Sequence, residues 1–293
     1  MKITNDHGLP EPIYRAYVET WLSGARPDHG ISVTELIAPP QQVRLLRERR
    51  ADIKIDVLDI MRMVEGAIYD RFVEPFAPGG SIIKQRLWMR IADTDVSGEP
   101  DLVLTDGSIV DHKNTSRWAV VLDHGVVKPE YEAQVNLYAL LRVANGFADP
   151  PRLQLWLRLY DWSETEAGRG GDYPQSPVIV QEVRRWTPEE RMAYARERVR
   201  LHTLPESPEC SPAERWETPT VYAVMKPGRK SAVKLHEDEE EAHAHRASLG
   251  QGHTVVTRPG VSKRCYRWCM ARSVCPQFVV ISKLKFEESP AIV

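Results

Sequence analysis

The sequence of 293 residues contains no run of about 18 or more apolar residues, the length that a membrane-spanning helix requires. Residues 1–8 are polar and do not include the apolar segment of a secretory signal peptide. We therefore expect a cytoplasmic protein with no membrane partner. Hydrophobic residues make up 42% of the chain and charged residues 27%, which is typical of a globular protein rather than a disordered or fibrous one.

Several sequence motifs of nucleotide-driven and nucleophilic enzymes are also missing. The chain has no phosphate-binding glycine loop, no dinucleotide-binding glycine motif and no Gly-x-Ser-x-Gly motif. It therefore carries no helicase motor of its own.

The chain has no excess of charge of one sign either. Its formal net charge is -2, so charge alone does not indicate a nucleic-acid-binding protein. The basic residues are clustered, however, at 44–50, 226–234 and 262–272. A solvated protein surface is one interpretation of each cluster. The other is DNA binding, for which the candidate contacts are Arg229, Lys230, Arg264 and Arg267.

Hydrophobic periodicity predicts the order of helices and strands. Helices are expected at 13–22, 41–50, 52–73, 131–145 and 238–249, with others capped by Ser32 and Thr187. Strands are expected at 82–92, 101–104, 108–113, 118–122, 153–161, 178–186, 222–225, 232–235 and 254–257. This order favours an α/β or α+β fold in which a central mixed sheet is flanked by helices. A change in composition divides the chain into a core at 1–205 and a C-terminal module at 206–293.

A predicted β-hairpin brings two carboxylates and a lysine together. Asp111 and Lys113 leave the same face of a strand because side chains alternate along it, whereas His112 faces the other way. A two-residue loop would pair Asp101 with His112. A three-residue loop pairs Asp101 with Asp111 instead, and Gly107 supplies the positive φ angle that its third position favours. We therefore predict the three-residue loop.

Two carboxylates held this closely repel each other unless a cation lies between them. Their oxygen atoms suit Mg²⁺ or Mn²⁺, so we expect Asp101 and Asp111 to bind one of these ions. Lys113 can then hold a water molecule or a phosphate oxygen beside the metal, which suits hydrolysis at phosphorus. Gln134 and Tyr138 share one face of the following helix, where they can meet a phosphodiester. A surface strand on which Lys113 forms a salt bridge is the alternative.

In their order and spacing these segments resemble the PD-(D/E)XK nuclease superfamily. Within it they resemble the RecB-type nucleases, which include the CRISPR-associated RecB-like exonucleases and phage relatives. The matching segments are Gly98-Glu-Pro-Asp101, Val110-Asp-His-Lys-Asn-Thr115 and Glu132-Ala-Gln-Val-Asn-Leu-Tyr138. The resemblance covers residues 30–145 and implies a restriction-endonuclease-like core with a metal-dependent DNA nuclease site.

That family carries a Gly-x3-His motif on the helix before its first core strand, and the histidine is a metal ligand. This chain has Gly66-Ala-Ile-Tyr-Asp70 in the corresponding place. The resemblance therefore implies Asp70 as a third ligand beside Asp101 and Asp111. Glu65 is the alternative, and because the two side chains diverge by roughly 140° around a helix, they should not both face one ion.

The sequence has only four cysteines, Cys210, Cys265, Cys269 and Cys275, and such a cluster in a reducing compartment indicates a metal site more than disulfides. The last three resemble the C-terminal cysteine triple of the iron–sulfur members of this nuclease group. That resemblance implies a [4Fe-4S] cluster with Cys210 as its fourth ligand, although the first gap of the triple is longer than is typical and the distant cysteine usually precedes the core. A structural Zn²⁺ site and unligated cysteines are the alternatives.

Together, the motifs and the resemblance predict a metal-dependent DNA nuclease, an exonuclease by analogy, in recombination, repair or phage DNA processing. A substrate with single-stranded character is expected, and a recombinase or helicase is the kind of partner that the resemblance implies. One alternative is a catalytically inactive nuclease-fold protein that only binds DNA or a recombination partner. Another is a zinc-stabilised accessory protein with no role on DNA.

Overall fold

The computed structural model describes residues 1–24, 30–121 and 126–288, with side chains as far as residue 283. It divides into two compact units, Met1–Pro208 and Glu209–Val293. The sequence places the boundary between residues 205 and 206, in the same connecting segment. Within the described ranges, no helix has both the length and the apolar composition needed to cross a membrane.

The first unit is a mixed α/β structure, as the sequence predicts. Its helices are α1 (Glu11–Leu22), α2 (Val33–Ile37), α3 (Pro40–Glu48), α4 (Val57–Val73), α5 (Trp118–Val121), α6 (Pro129–Ala144), α7 (Glu164–Ala167) and α8 (Pro188–His202). Its strands are β1 (Lys2–Thr4), β2 (Ile31–Ser32), β3 (Lys54–Asp56), β4 (Ile82–Ile83), β5 (Leu87–Ile91), β6 (Thr94–Gly98), β7 (Leu102–Val103), β8 (Ile109–Thr115), β9 (Leu153–Leu159) and β10 (Val178–Glu182).

A mixed sheet with the strand order β10-β9-β8-β7-β4 organises this unit. Strands β8 and β9 are parallel, and the remaining neighbours are antiparallel. Helix α6, which is buried over residues 133–142, packs against β8 and β9, and helix α4 also packs against β8. Strand β8 is therefore contacted by two helices, and its side chains are held between them and the rest of the core.

Two predicted helix starts are confirmed by their capping contacts. The Ser32 hydroxyl accepts a hydrogen bond from the backbone N–H of Glu35, while the Glu35 carboxylate accepts one from the backbone N–H of Ser32. Thr187 and Glu190 make the same reciprocal pair at the start of α8, with Pro188 in the first turn. Each pair satisfies backbone donors that have no partner inside the helix.

The predicted hairpin register is confirmed. Leu102 pairs with Val110 and Val103 with Ile109, and the backbone N–H of Leu104 donates to the Ser108 carbonyl at 2.9 Å. The loop is therefore residues 105–107, and Gly107 at its third position has a φ angle of 88°. The ladder ends at Leu102 and Val110, so the predicted pairing of Asp101 with Asp111 is not part of it. Asp101 lies one residue before β7, and its carboxylate is turned to the backbone N–H of His112.

The predicted helix at 52–73 begins later than expected. Lys54–Asp56 form strand β3, which pairs in parallel with β1. The helix starts at Val57 because the Asp56 side chain accepts the backbone N–H of Leu58 and also forms a capping box with Asp59. The apolar residues before this cap, Ile53 and Ile55, are buried as part of an extended segment rather than a helix.

The predicted strand at 82–92 is in fact two strands in different sheets. Strand β4 pairs with β7, whereas β5 pairs with β6, a strand that the sequence did not predict. Lys84, between them, has a φ angle of 46°, which an extended strand cannot accommodate.

The predicted strand at 118–122 is wrong, because Trp118–Val121 form the short helix α5, and residue 122 lies outside the described residues. The Asp161 carboxylate accepts hydrogen bonds from Ser116 Oγ at 2.6 Å and from the backbone N–H of Arg117 at 2.7 Å. Ser116 Oγ in turn accepts the backbone N–H of Trp118 at 3.2 Å. These contacts support a helix start despite the β-branched residues that follow.

The second unit contains an antiparallel sheet with the order β12-β11-β13, built from β11 (Val221–Met225), β12 (Lys234–His236) and β13 (Thr254–Arg258). Helix α9 (Glu239–Ser248) packs on it. The predicted hairpin, helix and strand of this region are confirmed. The cysteine-containing segment forms α10 (Lys263–Arg267) and α11 (Pro276–Glu288), which the sequence did not predict.

Candidate functional site

The candidate site lies where strand β7 ends while β8 continues. Strand β7 pairs with only two residues of β8, Ile109 and Val110, whereas β8 remains paired with β9 as far as Thr115. The edge of β8 beyond Val110 is therefore not covered by β7. Asp111 and Lys113 lie on this uncovered part of the strand.

The carboxylate of Asp101 occupies the uncovered edge. Its Oδ2 accepts a hydrogen bond from the backbone N–H of His112 at 2.8 Å. Because backbone N–H groups point sideways from a strand, this carboxylate lies near the plane of the sheet, between its two faces. Burial, together with the charges of Asp111 and Asp70, raises the pKa of Asp101 to about 7.

On the side of β8 that faces α4, Asp101 joins Asp70 and His112 in a compact group. One carboxylate oxygen from each aspartate and one ring nitrogen of His112 all lie within 4.8 Å of one another. His112 Nδ1 is 3.5 Å from Asp70 Oδ1. In the part of the chain that the structure describes, no other set of three or more histidine, cysteine or acidic side chains is this compact.

Asp70, and not Glu65, faces this group. The Glu65 carboxylate instead accepts a hydrogen bond from the Tyr17 hydroxyl at 3.2 Å and forms an ion pair with Arg62 at 2.9 Å. The sequence-based choice between the two residues therefore agrees with the geometry, while the role of Asp70 as a metal ligand stays a prediction.

On the side of β8 that faces α6, Lys113 is the centre of a chain of polar contacts. Its Nζ forms an ion pair with Asp111 and donates a hydrogen bond to Gln134 Oε1 at 2.9 Å. Gln134 Nε2 donates to the Tyr138 hydroxyl at 2.8 Å. Both polar atoms of Gln134 are thus engaged inside the site. These contacts support a role in positioning Lys113, in addition to the predicted contact of Gln134 and Tyr138 with a DNA strand.

Lys113 keeps its positive charge in this environment. Burial alone would favour the neutral amine, but the adjacent Asp111 carboxylate outweighs it and raises the pKa of Lys113. Burial also raises the pKa of the Tyr138 hydroxyl well above its usual value, with a smaller contribution from Asp111. The site therefore presents one fixed ammonium group beside a neutral phenol.

The predicted ligand trio of Asp70, Asp101 and Asp111 is divided in the structure. Asp70 and Asp101 belong to the compact group, whereas Asp111 does not and is paired with Lys113. Asp111 is 2% exposed. Side-chain alternation along β8 is the reason, because it directs Asp111 towards α6 while its neighbour His112 points towards α4.

Gly98, the first residue of the Gly-x-x-Asp motif, allows α6 to approach the site. A Cβ atom at this position would lie 2.5 Å from Leu141 Cδ1 and 2.9 Å from Tyr138 Cδ1. Both neighbours are buried side chains of α6. A larger residue would therefore displace the helix that carries Gln134 and Tyr138.

A cleft of about 810 Å³ opens over these residues. Asp70, Asp101, Asp111 and Lys113 all line it. So do three arginines, Arg47, Arg50 and Arg86. Positive side chains beside an acidic group suit an anionic substrate that reaches a cation held by the acids. The basic cluster at 44–50 is visible in the sequence, but nothing in the sequence assigns it to this site.

The donor set fits a divalent cation. Two carboxylates with oxygens within 4.8 Å of each other are destabilised by mutual repulsion unless positive charge is added. The pKa of Asp101 is raised by its burial first, and then by the charges of Asp111 and Asp70. Hard carboxylate oxygens match Mg²⁺ and Mn²⁺.

In the second unit, the backbone of Cys210 is hydrogen-bonded to the beginning of α11. Gln277, which is buried, accepts the backbone N–H of Cys210 at 3.0 Å and donates from Nε2 to its carbonyl at 2.9 Å. Arg215 Nη1 donates to the same carbonyl at 2.5 Å. Because Gln277 closely follows Cys275, these bonds bring the distant cysteine into the region of the C-terminal three.

All four cysteines are partly buried and form no disulfide. Burial, followed by the charges of Glu214 and the other cysteines, raises the pKa of Cys210 to about 12, and burial raises the pKa of Cys269 to about 11. No three of their sulfur atoms lie within 4.8 Å of one another in the described chain. The cysteines are thus gathered in one region without forming the closed set that a single bound Zn²⁺ requires.

The four predicted DNA-contacting residues have different environments. Arg229 and Lys230 are exposed between β11 and β12, and Arg267 is exposed on α10. Arg264 is half-buried, with its guanidinium carbon 4.1 Å from the centre of the Trp216 ring. Contact with DNA stays a prediction for all four.

Comparison with known proteins gives little further guidance. No protein-family model matches the chain, and no curated protein matches it. Among solved structures, the chain is similar to one titled "Crystal structure of SSO0001", with 16% sequence identity and a TM-score of 0.46 over 68% of this chain and 88% of that chain. A likeness at that level carries no argument about function.

His112 is the site residue that sequence reasoning missed. Strand alternation correctly sets it on the face opposite Asp111 and Lys113, and that face carries no other predicted site residue of β8. Its proximity to Asp70 depends on where α4 packs, and no periodicity in the sequence reports that contact.

Proposed function

We propose that this protein is a divalent-metal-dependent DNA nuclease that hydrolyses phosphodiester bonds, most simply as an exonuclease. The observation that carries this proposal is that Asp70, Asp101, Asp111 and Lys113 all line one cleft beside the uncovered edge of β8. These residues come from α4, from the segment before β7 and from β8. Acids and a lysine that come together from separate elements are typical of a functional site. A surface strand with a salt-bridging lysine, the alternative interpretation, does not require such convergence.

In this proposal Asp70 and Asp101 hold Mg²⁺ or Mn²⁺, with Asp111 beside them. When bound, the ion activates water and balances the charge of the phosphate. The Lys113 ammonium group, held between Asp111 and Gln134, retains a water molecule or a phosphate oxygen and stabilises the negative charge that develops there. Gln134 and Tyr138 keep Lys113 in place and are available to the DNA strand at the cleft wall.

We propose a restriction-endonuclease-like core for the first unit. The supporting observations are the order of the three motifs in the sequence and their placement at the β6–β7 connection, on β8 and on α6. The parallel neighbour β9 and the helices against β8 are compatible with such a core. The sequence resemblance to the RecB-type nucleases adds the expectation of a role in recombination, repair or phage DNA processing, with a recombinase or helicase as partner.

We propose a substrate with single-stranded character. Arg47, Arg50 and Arg86 line the same cleft as the acids, so a flexible phosphodiester strand can reach both. The exposed residues Arg229, Lys230 and Arg267 of the second unit are candidates for further DNA contacts.

The proposal is tested by digestion of end-labelled single-stranded DNA, double-stranded DNA and RNA of matched sequence. We expect the DNA to be shortened in Mn²⁺ or Mg²⁺ and to remain intact in EDTA, because the acids cannot act on phosphate without a cation. Binding of DNA without cutting in either metal would favour the alternative of an inactive nuclease-fold protein that only binds DNA. Cutting confined to RNA would contradict the proposed substrate.

For the cysteines of the second unit we propose a structural [4Fe-4S] cluster, with Zn²⁺ as the alternative. Support comes from the bonds of Gln277 and Arg215 to Cys210, which hold this distant cysteine near the C-terminal three. The raised pKa values of Cys210 and Cys269 mean that these thiols stay protonated at neutral pH without a metal. A bound metal or cluster would deprotonate them and fasten the C-terminal helix.

Anaerobically purified protein should contain iron and sulfide and show the broad visible absorption of an iron–sulfur cluster. Cys210→Ser should lose most of the iron, because four thiolates complete such a cluster, whereas the adjacent control Ser211→Ala should retain it. Zinc in place of iron would support the alternative. Full iron content in Cys210→Ser would exclude Cys210 as a ligand, and protein free of both metals would overturn the metal assignment.

A further inference from the structure

His112 occupies an environment that a structural histidine does not explain. Its side chain is 7% exposed, and neither ring nitrogen makes a hydrogen bond with the described residues. A buried polar group without a partner is destabilising, because it has given up its bonds to water. Native proteins seldom leave a buried imidazole without a hydrogen bond. In His112, Nε2 has none and Nδ1 has only the 3.5 Å contact with Asp70.

The orientation of the His112 ring is fixed by packing. The ring stacks on Trp156, with centroids 5.5 Å apart and an interplanar angle of 29°. The backbone N–H of the same residue is held by Asp101. With the ring plane and the backbone both fixed, Nδ1 is directed towards the carboxylate of Asp70.

The distance between His112 and Asp70 is too long for a strong hydrogen bond. Nδ1 and Oδ1 are 3.5 Å apart, whereas a charge-assisted N–H···O bond is about 2.7–2.9 Å. A first-row divalent ion bound at about 2.1 Å would separate two adjacent ligands by roughly 3 Å and two opposite ligands by roughly 4.2 Å. The ligand atoms of Asp70, Asp101 and His112, all within 4.8 Å of one another, are close to that range.

We propose that His112 binds the catalytic ion directly through its ring nitrogen, and that this ligand makes the site select a first-row transition ion such as Mn²⁺ over Mg²⁺. The inference rests on the same acids as the proposed function and adds a ligand to them. Imidazole nitrogen is a ligand of first-row transition ions, of which Mn²⁺ binds it most weakly, and it binds Mg²⁺ more weakly still, whereas carboxylate oxygens accept both. A site with only the acids would discriminate little between the two ions.

Metal binding, measured apart from catalysis, tests this inference. The intact chain, freed of metal with EDTA, is titrated with Mn²⁺, and free Mn²⁺ is followed by electron paramagnetic resonance. His112→Phe keeps a ring against Trp156 but removes the nitrogens. We expect this variant to bind Mn²⁺ at least about tenfold more weakly, while its affinity for Mg²⁺, measured by competition, changes less than about threefold.

The matched control is His253→Phe. His253 is also partly buried with an unbonded Nδ1, but it lies in the second unit, outside the acidic group. This control should bind both ions as the wild type does. If His112→Phe also retains wild-type affinity for Mn²⁺, the inference is overturned.

A second measurement can overturn the inference from the wild type alone, whatever the stability of a variant. Pulsed electron paramagnetic resonance of Mn²⁺ bound to wild-type protein with ¹⁵N-labelled histidine should show coupling to a directly bound nitrogen, and His112→Phe should lack it. Absence of this coupling in the wild type would also overturn the inference, even if the protein cuts DNA. Coupling in a protein that cuts no nucleic acid would support the ligand and contradict the proposed function, so the two failures are distinguishable.

Discussion

Lys113→Met should reduce DNA cleavage by about 10²–10⁴-fold while leaving DNA binding nearly intact. The Lys113 ammonium group is held between Asp111 and Gln134, and its raised pKa keeps it charged at the pH of the assay. Such a preorganised charge acts most strongly on the negative charge that develops during hydrolysis. The measurement is the initial rate of shortening of end-labelled DNA in Mn²⁺, alongside DNA affinity in Ca²⁺.

Lys128→Met is the matched control for this prediction. The Nζ atoms of both lysines approach the Tyr131 ring, at 4.9 Å for Lys113 and 5.6 Å for Lys128, but Lys128 is not among the residues that line the acidic cleft. It should cut DNA at the wild-type rate. Equal rates for wild type and Lys113→Met would remove Lys113 from the mechanism.

A change of stability in Lys113→Met can be separated from the loss of chemistry. Removing the lysine leaves the buried Asp111 carboxylate without its partner, which costs about 3–5 kcal/mol in comparable buried pairs. Asp111→Asn combined with Lys113→Met removes the uncompensated charge and should recover much of the free energy of unfolding. It should not recover cleavage, because the ammonium group is still missing.

Asp101→Asn should stabilise the metal-free protein at pH 8 and abolish its stabilisation by Mn²⁺. Burial, with the charges of Asp111 and Asp70, raises the folded-state pKa of Asp101 to about 7 from its ordinary value of 3.8. A carboxyl group whose pKa is higher in the folded state than in the unfolded state increases the free energy of unfolding. This contribution is fully present at pH values below the unfolded-state pKa and is lost as the pH rises through the folded-state pKa. Metal-free wild type should therefore lose free energy of unfolding between about pH 4 and pH 8, by up to about 4 kcal/mol from this group.

The uncharged side chain in Asp101→Asn cannot contribute this pH dependence, although its amide oxygen can still accept the backbone N–H of His112. Chemical denaturation in EDTA at several pH values measures the effect, and thermal unfolding with Mn²⁺ measures the metal contribution. A wild type and variant with the same pH profile in EDTA would contradict the electrostatic account of Asp101.

Asp106→Asn, in the same hairpin, is a control in which the pKa shift of the carboxyl group has the opposite sign. The backbone N–H of Ser108 and then Arg152 lower the pKa of Asp106 to about 2. A lowered pKa adds stability that is present above the unfolded pKa and is lost only as the pH falls towards 2. Asp106→Asn should therefore be slightly less stable than wild type at pH 6 and pH 8 alike, with no trend between them and no effect on Mn²⁺ binding.

Local chemistry made the hairpin predictable from the sequence. Gly107 at the third loop position and the alternation of Asp111 and Lys113 fix its register within a few residues, and the structure confirms it. The capping boxes at Ser32 and Thr187 were predictable for the same reason. In each case the deciding contacts join residues that are close in sequence.

The wrong predictions have a different physical origin. Residues 82–92 and 118–122 carry β-favouring side chains, but long-range contacts decided their conformation. Strand β5 pairs with β6 rather than continuing β4, and Asp161, distant in sequence, holds the segment that begins α5. Propensity along the chain does not report a partner that lies elsewhere.

The sequence by itself determined which chemical groups converge in one hairpin, because loop geometry and strand alternation are short-range. It also supplied the acids, the lysine and the four cysteines. Only the tertiary structure decided that β7 stops short of Asp111 and that α4 brings Asp70 to His112. It also decided that Asp111 turns to Lys113 rather than to the other two acids. Those outcomes depend on how separate elements pack, and packing is set by burial over the whole core rather than by any one segment.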